Sequence, residues 1–545
     1  MRRTFVLLTL ILVGLAFCTP RDEAPLHQKQ ASDGDPRLVL ILTVDQLRGD
    51  YLDHFEDVFV EGGFKRFLQQ AVLFTEAHQD HANTSTGPGH ATIATGAYPA
   101  HSGIVNNQWY EKNGTEAVYC VEDKDYSLLG AKDSSSGRSP RNLLVTALPD
   151  WIREANAESK VFSVSRKDRA AVLMGGKSAT AAYWYDEGTG NFISSTYYVR
   201  ELPEWLKRFN EKGIPRSSFG KSWSPLQVGE DARDSSEIVD TDHGRFDHDS
   251  SDAMDSPDSS FFTWFGKTPL MDEYMASMVK ELIKNESLGA DRQVDYLSLS
   301  FSVLDSVGHE YGPHSAELLD TIRRLDRVLA DLFDYVDAKV GLENTIVVLG
   351  SDHGVMDLPE YALTQGVKAH RVDDEDVQCI QQKGSEFARL FGEEEDWFVN
   401  SYYFNQAAIE RKGLSQSEME KVAAELFSQC ASVRRVWTRS ELEQPPTEKS
   451  DPFWLLYWKS FNPERSPDLL FQMEKYYVGS KDTGTSHGSP YRYDTHVPIA
   501  FLLPGVRPAR IEERVTTADI APTLASLLGL TAPDTVDGSD LSHHF

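Results

Sequence analysis

The chain alternates short, wholly apolar runs with helical patterns that carry one polar face. Leu38-Val39-Leu40-Ile41-Leu42-Thr43-Val44 is a continuous aliphatic and β-branched run, the pattern of a strand buried on both faces of a sheet. It ends at Asp45. Thr345 to Gly350 repeats the pattern and ends at Ser351-Asp352-His353-Gly354, and Val294 to Phe301 is a third such strand leading into Asp305. Leu318, Ile322, Leu325, Leu329, Leu332 and Val336 recur at helical spacing among charged residues. Near the end, Asp519 and Pro522 open a second amphipathic run over Thr523 to Leu530. Strands alternating with helices predict an α/β fold layered about a mostly parallel central sheet, with helices on both faces. In such sheets the carboxyl ends of the strands are where ligands bind.

Two stretches interrupt the pattern. Ser217 to Ser260 is rich in Ser, Asp, His and Gly and predicts a long inserted excursion. Phe398 to Val436 reads strand, helix, strand and predicts a small inserted subdomain. At the start, Met1-Arg2-Arg3 followed by the mostly apolar run Phe5 to Phe17 has the charged beginning and short greasy core of a secretory signal over residues 1–18. That run is too short to span a bilayer, and no later segment has a membrane-spanning run. Residues 19–36 predict a disordered polar leader. Cys18 follows Leu15-Ala16-Phe17, close to a lipoprotein cleavage site, but Phe17 is bulky where such sites take a small residue. Two fates stay open for the exported chain: periplasmic after ordinary cleavage, or lipid-anchored through Cys18.

Export changes how the cysteines read. There are four, Cys18, Cys120, Cys379 and Cys430, and an oxidising compartment favours a disulfide, for which Cys379 with Cys430 is the expected pairing. None forms a Cys-x-x-Cys pair, so any bound metal must draw mainly on His and carboxylate. The formal net charge of -30 argues against nonspecific nucleic-acid binding. A small anionic substrate would need a local cluster of cations.

The chemistry-bearing residues follow the apolar runs. Asp305-Ser306-Val307-Gly308-His309 sets two ligand types about one helical turn apart, and Asp352-His353 sits where a strand becomes a loop. Mixed His and carboxylate sets suit zinc better than magnesium or calcium. Taken singly, each Asp is a turn or cap residue; together with Asp45 and His487 they predict a metal site. In Asn83-Thr84-Ser85-Thr86-Gly87-Pro88-Gly89-His90, a proline just inside a helix start places the preceding hydroxyl where helix amides receive an anion. Thr86 is either a nucleophile there, activated by metal coordination, or an ordinary N-cap. Lys167 and Arg169, after the strand-like Val161 to Ser165, would project the same way from an extended stretch and could grip phosphate oxygens.

Asp45, Thr86-Gly87-Pro88-Gly89-His90, Asp305-x-x-x-His309, Asp352-His353-Gly354 and Thr485-Ser486-His487-Gly488 occur in the order seen in the alkaline phosphatase superfamily, and the chain resembles its bacterial phosphate-irrepressible, threonine-using members. The match runs from about Leu38 to the C-terminus and implies one alkaline-phosphatase-like catalytic domain over 37–545, carrying the insertions near 217–260 and 398–436. The resemblance implies two zinc ions, one held by Asp305, His309 and His487, the other by Asp45, Asp352, His353 and the Thr86 oxygen. It implies that Asn107, with Asn106 as a one-residue alternative, donates to a phosphoryl oxygen. It also implies that Lys167 and Arg169 form the Lys-x-Arg pair of monoesterases, Lys167 standing where other members place a magnesium ion. The activity implied is hydrolysis of small phosphate monoesters through a phosphothreonine intermediate.

Other readings keep the fold and change the chemistry. A phosphodiesterase or nucleotide pyrophosphatase would need an apolar pocket in place of Lys167 and Arg169, and Trp109, Tyr110, Tyr183 and Trp184 either line a pocket or belong to the core. Sulfatase activity would need a Cys/Ser-x-Pro-x-Arg segment, and Ser85-Thr86-Gly87-Pro88-Gly89 lacks its arginine. A noncatalytic surface-binding protein would be expected to have lost ligands, and every expected one is present.

Overall fold

The computed structural model describes residues 36–545 apart from 113, 115, 227–245, 247, 250–255, 401, 448–450 and 480–482. The signal, most of the leader and Cys18 therefore lie outside the described residues. One ten-stranded sheet organises the chain. In chain order its strands are β1 (Leu38–Val44), β2 (Val72–His78), β3 (Leu128–Leu129), β4 (Val161–Ser165), β5 (Ala181–Asp186), β6 (Asn191–Ser195), β7 (Asp295–Phe301), β8 (Thr345–Gly350), β9 (His496–Leu502) and β10 (Ala509–Thr516). They lie in the order β10-β2-β9-β8-β1-β7-β4-β5-β6-β3. β1 pairs parallel with both β7 and β8, and β7 with β4 and β4 with β5 are parallel too. Only β6 and β9 run against the others, each antiparallel to both of its neighbours.

The uninterrupted apolar strands are uninterrupted because both faces are covered. Leu38, Leu40 and Leu42 of β1 share a core with helices α3 (Pro269–Glu286) and α5 (Ala316–Lys339) on one face. Val39 and Ile41 turn to the other, against Ile93 of α1 (Thr86–Thr95) and Ile520 and Leu524 of α6 (Ile520–Leu527). The predicted helical stripe falls inside α5, whose Ser315 caps it by accepting from the Leu318 N–H. α6 begins at Ile520, three residues before the predicted start, because Pro522 occupies the first turn, where no backbone N–H is required.

Residues 398–436 lie within a small α/β unit. Its own core runs from Phe387 through Trp397, Met419 and Phe427 to Leu469, and its strand Val433–Thr438 pairs with Leu469–Met473. Cys379 and Cys430 are joined by a disulfide inside this unit. Of the polar stretch near 217–260, the described part pairs Ser222–Trp223 with His248–Asp249, and Trp223 donates its indole N–H to Asp320 of α5 at 2.8 Å.

Candidate active site

Adjacent parallel strands deliver their next residues to one edge of the sheet. Asp45 follows β1 and Asp352 and His353 follow β8; Asp305 and His309 lie on α4 (Val303–Tyr311) after β7, and Lys167 follows β4. Two groups result, Asp305 with His309 and His487, and Asp45 with Asp352 and His353, the candidate ligand atoms of each lying within 4.8 Å of one another. His309 Nε2 is 3.2 Å and His487 Nε2 3.5 Å from Asp305 Oδ1. His353 Nε2 is 3.3 Å from Asp45 Oδ1 and 3.4 Å from Asp352 Oδ2.

The far side of each imidazole fixes what the near side can do. Nδ1 of His309, His487 and His353 donates to the carbonyls of Thr485, Thr84 and Gly354 at 2.8, 2.7 and 3.0 Å. In its neutral form each ring presents the Nε2 lone pair to carboxylate oxygens, a repulsive arrangement unless a cation or a proton lies between. At His309 burial disfavours the proton, but the neighbouring Asp305 outweighs it and raises the pKa. His353 stays neutral, its pKa lowered by burial to about 3. Asp45 Oδ1, Asp352 Oδ2 and His353 Nε2 are buried without a hydrogen-bond partner among the described residues, and unpaired buried polar atoms are costly. The residues present fit a pair of divalent cations, and mixed imidazole and carboxylate donors favour a zinc-like ion over magnesium or calcium.

Lys167 joins the groups. Its Nζ is 2.5 Å from Asp45 Oδ2 and 2.6 Å from Asp305 Oδ2. Burial raises the Asp45 carboxyl well above the usual range, with Asp305 and Asp352 adding to the effect and Lys167 opposing it. For Asp305 burial pushes the same way, but Lys167 and His309 outweigh it and hold the carboxyl well below that range.

Thr86 is the first residue of α1, and Ser85, in extended conformation, occupies the N-cap position. Thr86 is thus not the cap. Its Oγ1 has Lys167 Nζ and Arg169 Nη2 each at 3.4 Å. These two cations do not project from one extended stretch as the sequence suggested. Lys167, two residues past the strand, is the extended N-cap residue of α2 (Asp168–Gly175) and Arg169 lies in the first turn of that helix, and the two converge on Thr86. Asn107 accepts from the Gly87 N–H at 2.7 Å, which leaves its amide N–H groups for another acceptor, whereas Asn106 is exposed and accepts from the Asn107 N–H. Gly89 lets α1 approach the Asp352 loop so closely that a Cβ there would collide with the Asp352 carbonyl.

Three contributors escaped the sequence reading. Gln46, with φ of 69°, donates its side-chain amide to Asp305 Oδ1 at 2.9 Å and its backbone N–H to Asp352 Oδ1 at 3.3 Å. His90 lies 3.2 Å from Asp352 Oδ2, and its Nε2 is 2.8 Å from Ser300 Oγ. Tyr119 touches Asp168 and Arg169. Only His90 carried a signal, its place one turn into the Thr-Gly-Pro-Gly helix start. Beside Asn107 and Arg169 opens a cavity of about 770 Å³ lined by Trp109, Tyr110 and, from the inserted unit, Tyr402 and Tyr403. Tyr183 and Trp184 are core residues.

Comparisons with known proteins place the chain in a family. The family described as type I phosphodiesterase / nucleotide pyrophosphatase matches residues 39–496. Alkaline phosphatase PafA of Elizabethkingia meningoseptica is 32% identical over 94% of this chain and 95% of its own length. Alkaline phosphatase PhoV of Synechococcus elongatus is 31% identical over 91% of each. The crystal structure of wild-type PafA superposes with a TM-score of 0.84 at 30% identity, covering 94% of this chain and 99% of that one. A PafA variant substituted at a threonine, an asparagine, a lysine and an arginine superposes equally well, at 29% identity. The chain belongs to the type I phosphodiesterase / nucleotide pyrophosphatase family of the alkaline phosphatase superfamily, a family of hydrolytic enzymes.

Proposed function

We propose that this protein is an alkaline phosphatase that hydrolyses small phosphate monoesters through a covalent phosphothreonine on Thr86, with two zinc ions as cofactors. The observation that carries the reading is the convergence on the Thr86 hydroxyl of Arg169 and of Lys167, which also bridges the two His and carboxylate groups through Asp45 and Asp305. Asp305, His309 and His487 would hold one ion, and Asp45, Asp352 and His353, with the Thr86 oxygen, the other. When bound, the ions supply Lewis-acid charge that favours the Thr86 alkoxide and stabilises the departing oxygen.

The chain's own residues do the rest. Thr86 Oγ1 attacks phosphorus in line as the ester P–O bond breaks, and water then displaces Thr86 from phosphorus, releasing inorganic phosphate. Arg169 and Asn107 hold nonbridging oxygens, and Lys167 balances the Asp45 and Asp305 carboxylates while facing the same oxygens. Phosphoryl transfer asks mainly for such positioning and charge. The same four residue types, in the same chain order, are those replaced together in the PafA variant structure. The Cys379–Cys430 bridge supports an oxidising compartment, hence export to the periplasm or envelope surface. Among the described residues no helix is long and apolar enough to cross a membrane.

The second reading is a phosphodiesterase, favoured by the matched family's description and by the aromatic cavity, which has room for a second substituent. The test is kcat/KM on a paired aryl phosphate monoester and diester with zinc-loaded enzyme and with Thr86→Ala. A monoester preference that vanishes in the variant is expected, with turnover down by more than about a thousandfold. Replacing Lys167 and Arg169 together is expected to depress monoesters far more than diesters. A diester preference would install the second reading.

A further inference from the structure

Arg169 does not hold its own orientation. Asn107 and Tyr119 are the two feet of a short hairpin, in which Gln108–Tyr110 pairs with Ala117–Tyr119. The Tyr119 hydroxyl donates to Asp168 Oδ1 at 2.5 Å, and the Tyr119 oxygen itself accepts from Arg169 Nη1 at 3.5 Å. A phenol has one proton, so once it is given to Asp168 only lone pairs remain for the guanidinium, and the direction of both contacts is fixed. Asp168 is otherwise filled: Oδ1 also accepts the Arg169 backbone N–H at 2.7 Å, and Oδ2 accepts Arg138 Nε at 2.6 Å. Arg138 also lies over the Tyr119 ring, 5.2 Å from its centroid.

Asp168, already bonded to Tyr119, Arg138 and the Arg169 backbone N–H, would have an acceptor site free to draw the guanidinium away from Thr86 only without the Tyr119 proton. Arg169 Nε has no hydrogen-bond partner among the described residues, so the side chain is gripped mainly at its tip. We infer that Tyr119 is a positioning residue that keeps Arg169 aimed at the phosphoryl group, by occupying Asp168 with its proton and offering its oxygen to Nη1. The inference rests on the monoesterase reading above.

The experiment compares wild type, Tyr119→Phe, Arg169→Ala and the double variant, all zinc-loaded and full length. It records kcat/KM on the paired aryl monoester and diester, the inhibition constant of inorganic phosphate, and Tm. Phe keeps the ring and removes only the hydroxyl. Monoester kcat/KM and phosphate affinity should each fall about tenfold in Tyr119→Phe, the size expected for a disturbed charge-assisted contact. The diester should change much less, and Tyr119→Phe should add nothing once Arg169 is gone. Equal losses on both esters, or losses that add to those of Arg169→Ala, would overturn the assignment and leave Tyr119 a structural residue. If wild type prefers the diester, the monoesterase reading fails separately. Phosphate affinity then still decides the role of Tyr119, through its dependence on Arg169.

Discussion

The two His and carboxylate groups have the same kinds of donors but opposite settings. Asp45, Asp352 and His353 are fully buried and follow the adjacent central strands β1 and β8. In the other group, the His309 and His487 side chains are 35% and 11% exposed and stand on a helix and a loop. Every solvent-inaccessible atom left without a hydrogen-bond partner belongs, among these six residues, to the buried group. Asp305 Oδ1, in contrast, already accepts from Gln46. On the proposed reading, depth would divide the labour. The inner group, with no exposed side chain, would suit an ion held as part of the fold. The outer group, with its partly exposed histidines, would suit the face through which leaving group and water pass.

His353→Ala should have the largest effect. It leaves Asp45 and Asp352 facing each other with one donor fewer, and an ion present at a thousandfold its Kd contributes about 4 kcal/mol to stability. We expect loss of at least one equivalent of zinc, a Tm lowered by several degrees, and turnover reduced more than about a thousandfold. His309→Ala should cost about a hundredfold in turnover with little change in Tm, and added zinc should restore part of the activity. Metal analysis and thermal melts of the two variants read the difference directly, and equal destabilisation would mean that depth does not separate the groups. Zinc removal by a chelator sharpens the same point. It should proceed in two phases, the fast one abolishing activity before the melting temperature falls to its final value.

The central strands were legible as aliphatic runs ending in a carboxylate. Five of the six residues in the two His and carboxylate groups either followed such a run or stood as Asp and His one turn apart, whereas His487 had no local pattern and was grouped only through the family resemblance. β10 was not legible. Ala509-Arg510-Ile511-Glu512-Glu513-Arg514 is an exposed edge strand, and its charges, which protect such an edge from pairing with another chain, also hide the strand signal. Thr86 could not be told from an N-cap until Ser85 was seen in that position, since either residue satisfies the motif. Tyr119 stands 50 residues from Arg169, and nothing in the chain between marks the contact. Gln46 resembles any polar residue at the start of a loop; its role comes from a left-handed backbone conformation that turns its N–H and its side chain toward different groups.

That conformation provides the finest test of the comparison, because Gln46 touches both groups through separable atoms. The side-chain amide serves Asp305 of the outer group, while the backbone N–H serves Asp352 of the inner one. Gly308 stands opposite, and a Cβ there would displace the Gln46 side-chain oxygen. Gln46→Ala removes the outer contact and leaves the inner one in place. Loss of an outer-shell partner typically weakens metal binding by about tenfold or more, so the weaker of two zinc affinities should fall by that factor while the tighter is unchanged. Gln46→Gly should show the same metal profile but be about 1 kcal/mol more stable than the alanine variant, because glycine adopts φ of 69° without the side-chain penalty. If both variants also loosen the tighter ion, the side chain of Gln46 couples the groups. The difference between them would then come from that coupling rather than from depth.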